Sequence, residues 1–166
     1  MATTPTTLPV GATPSGSSSP APTPRTTVPS TGSAQTAITN AYETYLVDLS
    51  GLDDTLNKAY IGPLASVTTH RLAQASVRQA AALLRAQEHG VGTLRDDHVT
   101  ITMTGNASAA LVDCQDEQDF YLVSDDSATP DPFVARGDFV GSAQLVLQGG
   151  QWLVDTFTTT HVGCAF

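Results

Sequence analysis

The chain has 166 residues, with 16 Asp and Glu against 7 Lys and Arg and a formal net charge of −9. That length suits one domain with a core of ordinary size, and the acidic balance argues against nucleic acid or an anionic membrane surface as partner, because both are held through cationic side chains. No apolar run reaches the roughly 18 residues that a membrane-spanning helix needs, and no basic-then-apolar leader is present, so an exported form would carry its leader outside this chain.

Residues 1–32 are almost wholly Thr, Ser, Pro, Gly and Ala, with Arg25 as their one charge. Such a segment lacks the apolar surface to offset its ordering entropy and reads as a disordered spacer, with a reach of roughly 30 Å. Ser/Thr/Pro mixtures of this kind suit extracellular stalks. The remainder, 33–166, holds 6 basic and 16 acidic residues and reads as the folded domain.

Ile38, Ala41, Tyr42, Tyr45, Leu46 and Leu49 recur at helical spacing and predict a first helix over 34–50, with Ser33 as its N-cap. Asp53 or Asp54 is placed to cap a short second helix through Tyr60, closed by Gly62-Pro63. A third helix is expected from Thr69 to Glu88, with Ala73, Val77, Ala80, Ala81 and Leu84 buried and Gly90 at its stop. Arg71, Arg78 and Arg85 share one face of it, read as a solvated side or, more sharply, as a strip for an acidic partner.

From residue 98 the pattern alternates with period two. Val99, Ile101 and Met103 face one way, Gly105-Asn106 makes a two-residue loop, and a return strand covers 107–114. Asn106-Ala107-Ser108 matches a glycosylation sequon, which the turn accounts for by itself. A second hairpin joins Phe139–Gln148 to Gln151–Thr160 through Gly149-Gly150. Helices first and strands after predict an α+β domain: N-terminal helices packed on an antiparallel sheet.

Closing the first hairpin at Gly105-Asn106 pairs Ile101 with Ala110 and Val99 with Val112, with Cys114 on their buried face and Asp113 outward. Closing the second pairs Leu147 with Trp152, Leu145 with Val154 and Ala143 with Thr156, leaves Asp155 outward, and puts Cys164 on the Trp152 side unless a bulge intervenes. The inward face then tapers from Leu147 and Trp152 to Gly141, Thr156 and Thr158. It suggests a pocket lined by these last four with Tyr42 and Tyr45, unless the two tyrosines simply fill the space.

The two cysteines can be buried thiols, metal ligands or a disulfide. Neither His70, His89, His98 nor His161 stands at zinc-ligand spacing from them, and the acids beside Cys114 oppose thiolate formation. A Cys114–Cys164 disulfide fits best; it would stabilise by roughly 4 kcal/mol in the chain-entropy view and imply an oxidising compartment. The carboxylates of Asp113, Asp116, Glu117, Asp119, Asp125, Asp126 and Asp131 lack the spacing of a calcium loop and read as a solvated segment beside an edge strand. No nucleophile elbow, phosphate loop or His-Glu-x-x-His motif occurs. No metal or cofactor is expected.

The stretches AITNAYETYLVDL, AALLRAQEHG, HVTITMTG, ALVDCQDEQDF, GGQWLVDTF and the late VGC, taken in that order over 34–166, resemble small secreted or lipid-anchored actinobacterial proteins with a nuclear-transport-factor-two-like, or ketosteroid-isomerase-like, fold. The resemblance implies a cone-shaped α+β roll, a curved antiparallel sheet wrapped over helices. It also implies that Cys114 and Cys164 are joined, and it brings no catalytic residues. The expectation is an extracytoplasmic, non-enzymatic module on a flexible stalk, meeting an envelope protein or a small ligand, with oligomeric state open. The alternatives are a small-molecule isomerase or dehydratase working in the cone, for which His70 and His161 are the available bases, and a purely structural envelope component. A deep closed pocket holding a buried acid or histidine would favour the enzyme, and a shallow, apolar or filled cone the binding module.

Overall fold

The computed structural model describes residues 31–96, 98–115, 120–124 and 139–160. The spacer, apart from its last two residues, lies outside them, as do Cys164, His161 and every acid from Asp116 to Asp131. Among the described residues three helices come first: α1 (Thr31–Thr55), α2 (Ile61–Val67) and α3 (His70–Ala86), with a 3-10 turn over Lys58–Tyr60. Six strands follow among the described residues: β1 (Glu88–Gly92), β2 (His98–Gly105), β3 (Ser108–Gln115), β4 (Phe120–Ser124), β5 (Phe139–Gln148) and β6 (Gln151–Thr160). The pairs among these strands are all antiparallel, in a four-stranded sheet ordered β2-β3-β5-β6 and a β1-β4 pair. The domain is α+β with its helices packed on antiparallel sheet, as the element order implies.

Helix α1 runs five residues past its expected end because its apolar stripe continues. Ile38, Tyr42, Tyr45, Leu46, Leu49 and Leu52 are all buried at i, i+3, i+4 spacing. Asp53 therefore lies inside α1 and does not cap a second helix. The chain reverses at Leu56, whose φ is +48°, and the Asn57 side chain accepts from Ala59 N at 3.0 Å to start the 3-10 turn. Gly62 and Pro63 open α2 and do not close the helix before it; the first turn of a helix needs no N–H from proline.

Thr69 caps α3, and its hydroxyl also donates to Asp155 Oδ1 at 2.9 Å. Its own N–H donates to the Val154 carbonyl at 2.9 Å, beside a parallel bridge between Thr68 and Val154. Arg71 pairs with Asp155 at 3.0 Å, but at 70% exposure that contact is worth well under about 1 kcal/mol. Ala73, Ser76 and Ala80 form the buried stripe of α3, while Leu84 is 52% exposed. The helix stops at Gln87 in the left-handed conformation, with its N–H on the carbonyls of Leu83 and Leu84. Gly90, the expected stop, instead pairs with Leu122 in β1 and lies under the Phe120 ring.

The second hairpin turns as expected at Gly149-Gly150, where φ values of +60° and +86° meet the demand of a tight two-residue loop. Leu147 pairs with Trp152 and Leu145 with Val154. A bulge then intervenes, so that Ala143 faces Phe157 and not Thr156. Asp155 is the extra residue, and beyond it the inward positions become Phe157 and Thr159.

The first hairpin also departs from its expected register. Neither Gly105 nor Asn106 takes a positive φ, so they cannot form the mirror-image turn that Gly-Asn suggested. The turn is Asn106-Ala107, Gly105 pairs with Ser108, and a shift between Met103 and Gly105 leaves Thr104 unpaired. Ile101 consequently pairs with Leu111 and Val99 with Asp113. Leu111 and Asp113 go inward and Val112 is 46% exposed. Cys114 is buried at 8% exposure but lies on the sheet face opposite Leu111.

Candidate ligand-binding cavity

Two polar arrangements sit within the apolar core. The first is closed. Tyr42, at full burial, donates to Asp113 Oδ2 at 3.2 Å, and Gln115 Nε2 donates to the same oxygen at 2.9 Å and to the Tyr42 hydroxyl at 3.1 Å. Asp113 and Gln115 are 0% and 1% exposed. Asp113 thus points into the core, against the outward position expected for it, because the Thr104 bulge turned β3 over. Burial, and next the Asp113 carboxylate, hold the Tyr42 phenol far above its usual pKa, so it serves as a fixed donor. A Cβ on Gly141 would come within 2.9 Å of the Tyr42 hydroxyl; the bare backbone there lets β5 close over the network.

The second arrangement opens onto a cavity of about 490 Å³ between α1, α3, β4 and the ends of β5 and β6. Its walls are mainly apolar and aromatic: Leu49, Leu72, Leu83, Leu94, Phe120, Leu122, Phe139 and Phe157, with Tyr45 and Tyr121. Such a volume and lining are usual for small-molecule sites. Phe157 meets Tyr45 edge-on at 5.2 Å and Tyr42 at 6.2 Å, so this ring, carried inward by the Asp155 bulge, separates the cavity from the closed network.

Asp53 is the one residue among Asp, Glu, His, Lys and Arg in the described lining. It is 5% exposed, and its Oδ1 has no hydrogen-bond partner among the described residues. Burial pushes its carboxyl up to about 7, since a desolvated carboxylate holds its proton more tightly. Tyr45, two helical turns before it, is raised far above its usual value by burial, with Ser76 hydrogen-bonded to it. Asp48 on the same helix is also raised by burial, with Oδ2 unpartnered among the described residues, but does not line the cavity.

Of the residues suggested for a pocket, Tyr45 and Thr158 line this cavity. Tyr42 and Gly141 belong to the closed network. Trp152 is 4% exposed in the core, with Nε1 unpartnered among the described residues. Thr156 pairs with Gln144 on the outer side of the sheet. Sequence reasoning missed Asp53, Phe120, Phe139 and Phe157. For Asp53 a signal existed: it stands four residues after Leu49 and eight after Tyr45, on the continuing stripe of α1. His70 is exposed and lies beside Gln74, away from the cavity. No cluster of three or more metal-ligating side chains occurs among the described residues.

No protein-family profile matches the chain, and no curated protein matches it. Solved structures do. The intermembrane space region of the chloroplast protein ARC6 matches with TM-score 0.54 and 16% identity, over 76% of this chain and 95% of that one. CagV, a VirB8 homologue of the T4SS from Helicobacter pylori strain 26695, matches at 0.51 and 7% identity, over 76% and 98%. The putative transfer protein TraH from the Gram-positive conjugative plasmid pIP501 matches at 0.51 and 10% identity, over 78% and 95%. The fold is nuclear-transport-factor-two-like. At these identities the likeness is one of architecture, and a nuclear-transport-factor-two-like scaffold carries many unrelated tasks.

Proposed function

We propose that the chain is an extracytoplasmic, envelope-associated binding module, held on the 1–32 spacer, that takes a small and largely apolar ligand in the cavity between α1 and α3. The cavity carries the reading. It combines about 490 Å³ of mainly apolar wall with a single buried carboxyl. No second acid, histidine, lysine or arginine in the described lining makes up an acid–base pair. An extracytoplasmic site is supported by the similar architectures of an intermembrane space region and of T4SS and transfer proteins.

A Cys114–Cys164 disulfide belongs to the same proposal, in keeping with the secreted or lipid-anchored actinobacterial type that the sequence resembles. No free cysteine occurs among the described residues. Cys114 pairs across the sheet with Val140, and Val140 with Thr160. Two strand spacings, about 10 Å, therefore separate Cys114 from Thr160. The four residues from there to Cys164 reach up to about 14 Å when extended.

The test is uptake of the neutral dye N-phenyl-1-naphthylamine. The folded protein should bind it saturably with blue-shifted emission, and Ala75→Trp, which fills the cavity from α3, should weaken uptake at least tenfold. No saturable uptake, or uptake indifferent to Ala75→Trp, overturns the cavity reading. Thiol labelling of the same unreduced, denatured sample should find no reactive cysteine; two labelled thiols would refute the cross-link.

A second reading is favoured by Asp53 alone: a carboxyl near 7 in an apolar site is suited to proton transfer, as an isomerase or dehydratase requires. It predicts deuterium exchange α to the carbonyl of a bound aryl ketone, lost in Asp53→Asn. Exchange no faster than in buffer eliminates it.

A further inference from the structure

We propose that the cavity selects an organic amine cation, with an aryl or alkyl body among the aromatic rings and an ammonium paired with Asp53. This deepens the ligand-binding reading above and rests on it.

Three observations point the same way. The Asp53 side chain lines the cavity, is 5% exposed, and leaves Oδ1 without a partner among the described residues. A buried carboxylate of this kind is stabilised by an opposite charge that also donates hydrogen bonds. No lysine, arginine or histidine in the described lining supplies that charge, so the protein leaves it to the ligand. Five aromatic rings stand in the same wall: Tyr45, Phe120, Tyr121, Phe139 and Phe157. Ring faces attract cations, most strongly where water is excluded.

The competing ligand chemistries fit less well. A carboxylate or phosphate would meet Asp53 with like charge and find no cation in the lining. A neutral hydroxyl compound would donate a hydrogen bond to Asp53 but leave the charge of its ionised form without a counter-charge. The net charge of −9 acts in the same direction, since it enriches cations around the molecule.

The experiment compares three probes of one shape, 4-phenylbutylamine, 4-phenylbutanol and 4-phenylbutyrate, by NMR titration of the full chain at pH 8 and low salt. The amine should bind at least tenfold tighter than the alcohol, and the carboxylate weakest. Asp53→Asn, which keeps shape and volume, should bring the amine down to the level of the alcohol. Asp48→Asn, altering a buried acid outside the cavity wall, should leave the preference intact and controls for net charge. Equal binding of amine and alcohol, or a preference that survives Asp53→Asn, overturns the assignment of the cation while the binding-module reading stands. If none of the three probes nor the neutral dye binds, that reading falls as well.

Discussion

Replacing Phe157 by alanine should lower the unfolding free energy by about 3 kcal/mol, the lower end of the range for deleting a buried aromatic. The lower end applies because one side of the ring already faces the cavity. The loss has two parts. The ring leaves a void against Tyr42 and Tyr45, and two aromatic contacts at 6.2 and 5.2 Å disappear, each worth roughly 0.5–1.5 kcal/mol beyond area. Phe157→Leu keeps most of the volume and should cost about half as much. Urea unfolding at constant m-value measures both. A loss below about 1 kcal/mol for the alanine variant would mean that the bulge at Asp155 does not deliver this ring to the interior.

The second large effect is a dependence of stability on pH that runs through Asp53. Its carboxyl has a pKa of 3.8 when free and about 7 in the folded protein, raised by burial. Between these values the folded state holds a proton that the unfolded state has released. The unfolded state therefore binds fewer protons, and stability falls as pH rises. The contribution is fully present below about pH 4 and lost by about pH 7, with no further slope from this group above that. A shift of about three units corresponds to roughly 4 kcal/mol. Asp53→Asn should flatten this descent and be the more stable protein at pH 8. Asp48, raised by burial as well, acts in the same direction and leaves a residual slope in the variant. Equal slopes in wild type and Asp53→Asn over pH 4–7 would contradict the burial of this carboxyl.

Much of the architecture is legible in the residues. The β5-β6 hairpin has its expected ends and turn, because Gly149 and Gly150 both supply the positive φ that the turn needs. The registers failed one residue at a time. Nothing in the segment VDTF marks Asp155 as an extra residue, and AALV in β3 offers Leu111 and Val112 as equally good inward neighbours. Which of the two is buried depends on Thr104 being left out of the pairing, a feature of the turn and not of the hydrophobic pattern. Gly51 hid the last turn of α1, and with it Asp53. The β1-β4 pair joins EHGVG to FYLVS across more than twenty-five residues, so no local pattern announces it. The cavity wall was hard to foresee for the same reason: Phe120, Phe139 and Phe157 come to share one cavity with Tyr45 through registers that alternation alone does not determine.

The cap of α3 bears on how the chain reaches this state during synthesis. Thr69 finds its acceptor on Asp155, 86 residues later. A ribosome adding roughly 5–20 residues per second needs about 4–17 s to make that stretch. Throughout that interval the start of α3 lacks its seat on β6, and Ser76 and Ala80 have no finished roll to pack against. A newborn chain therefore has no seat for this cap until β6 has been made.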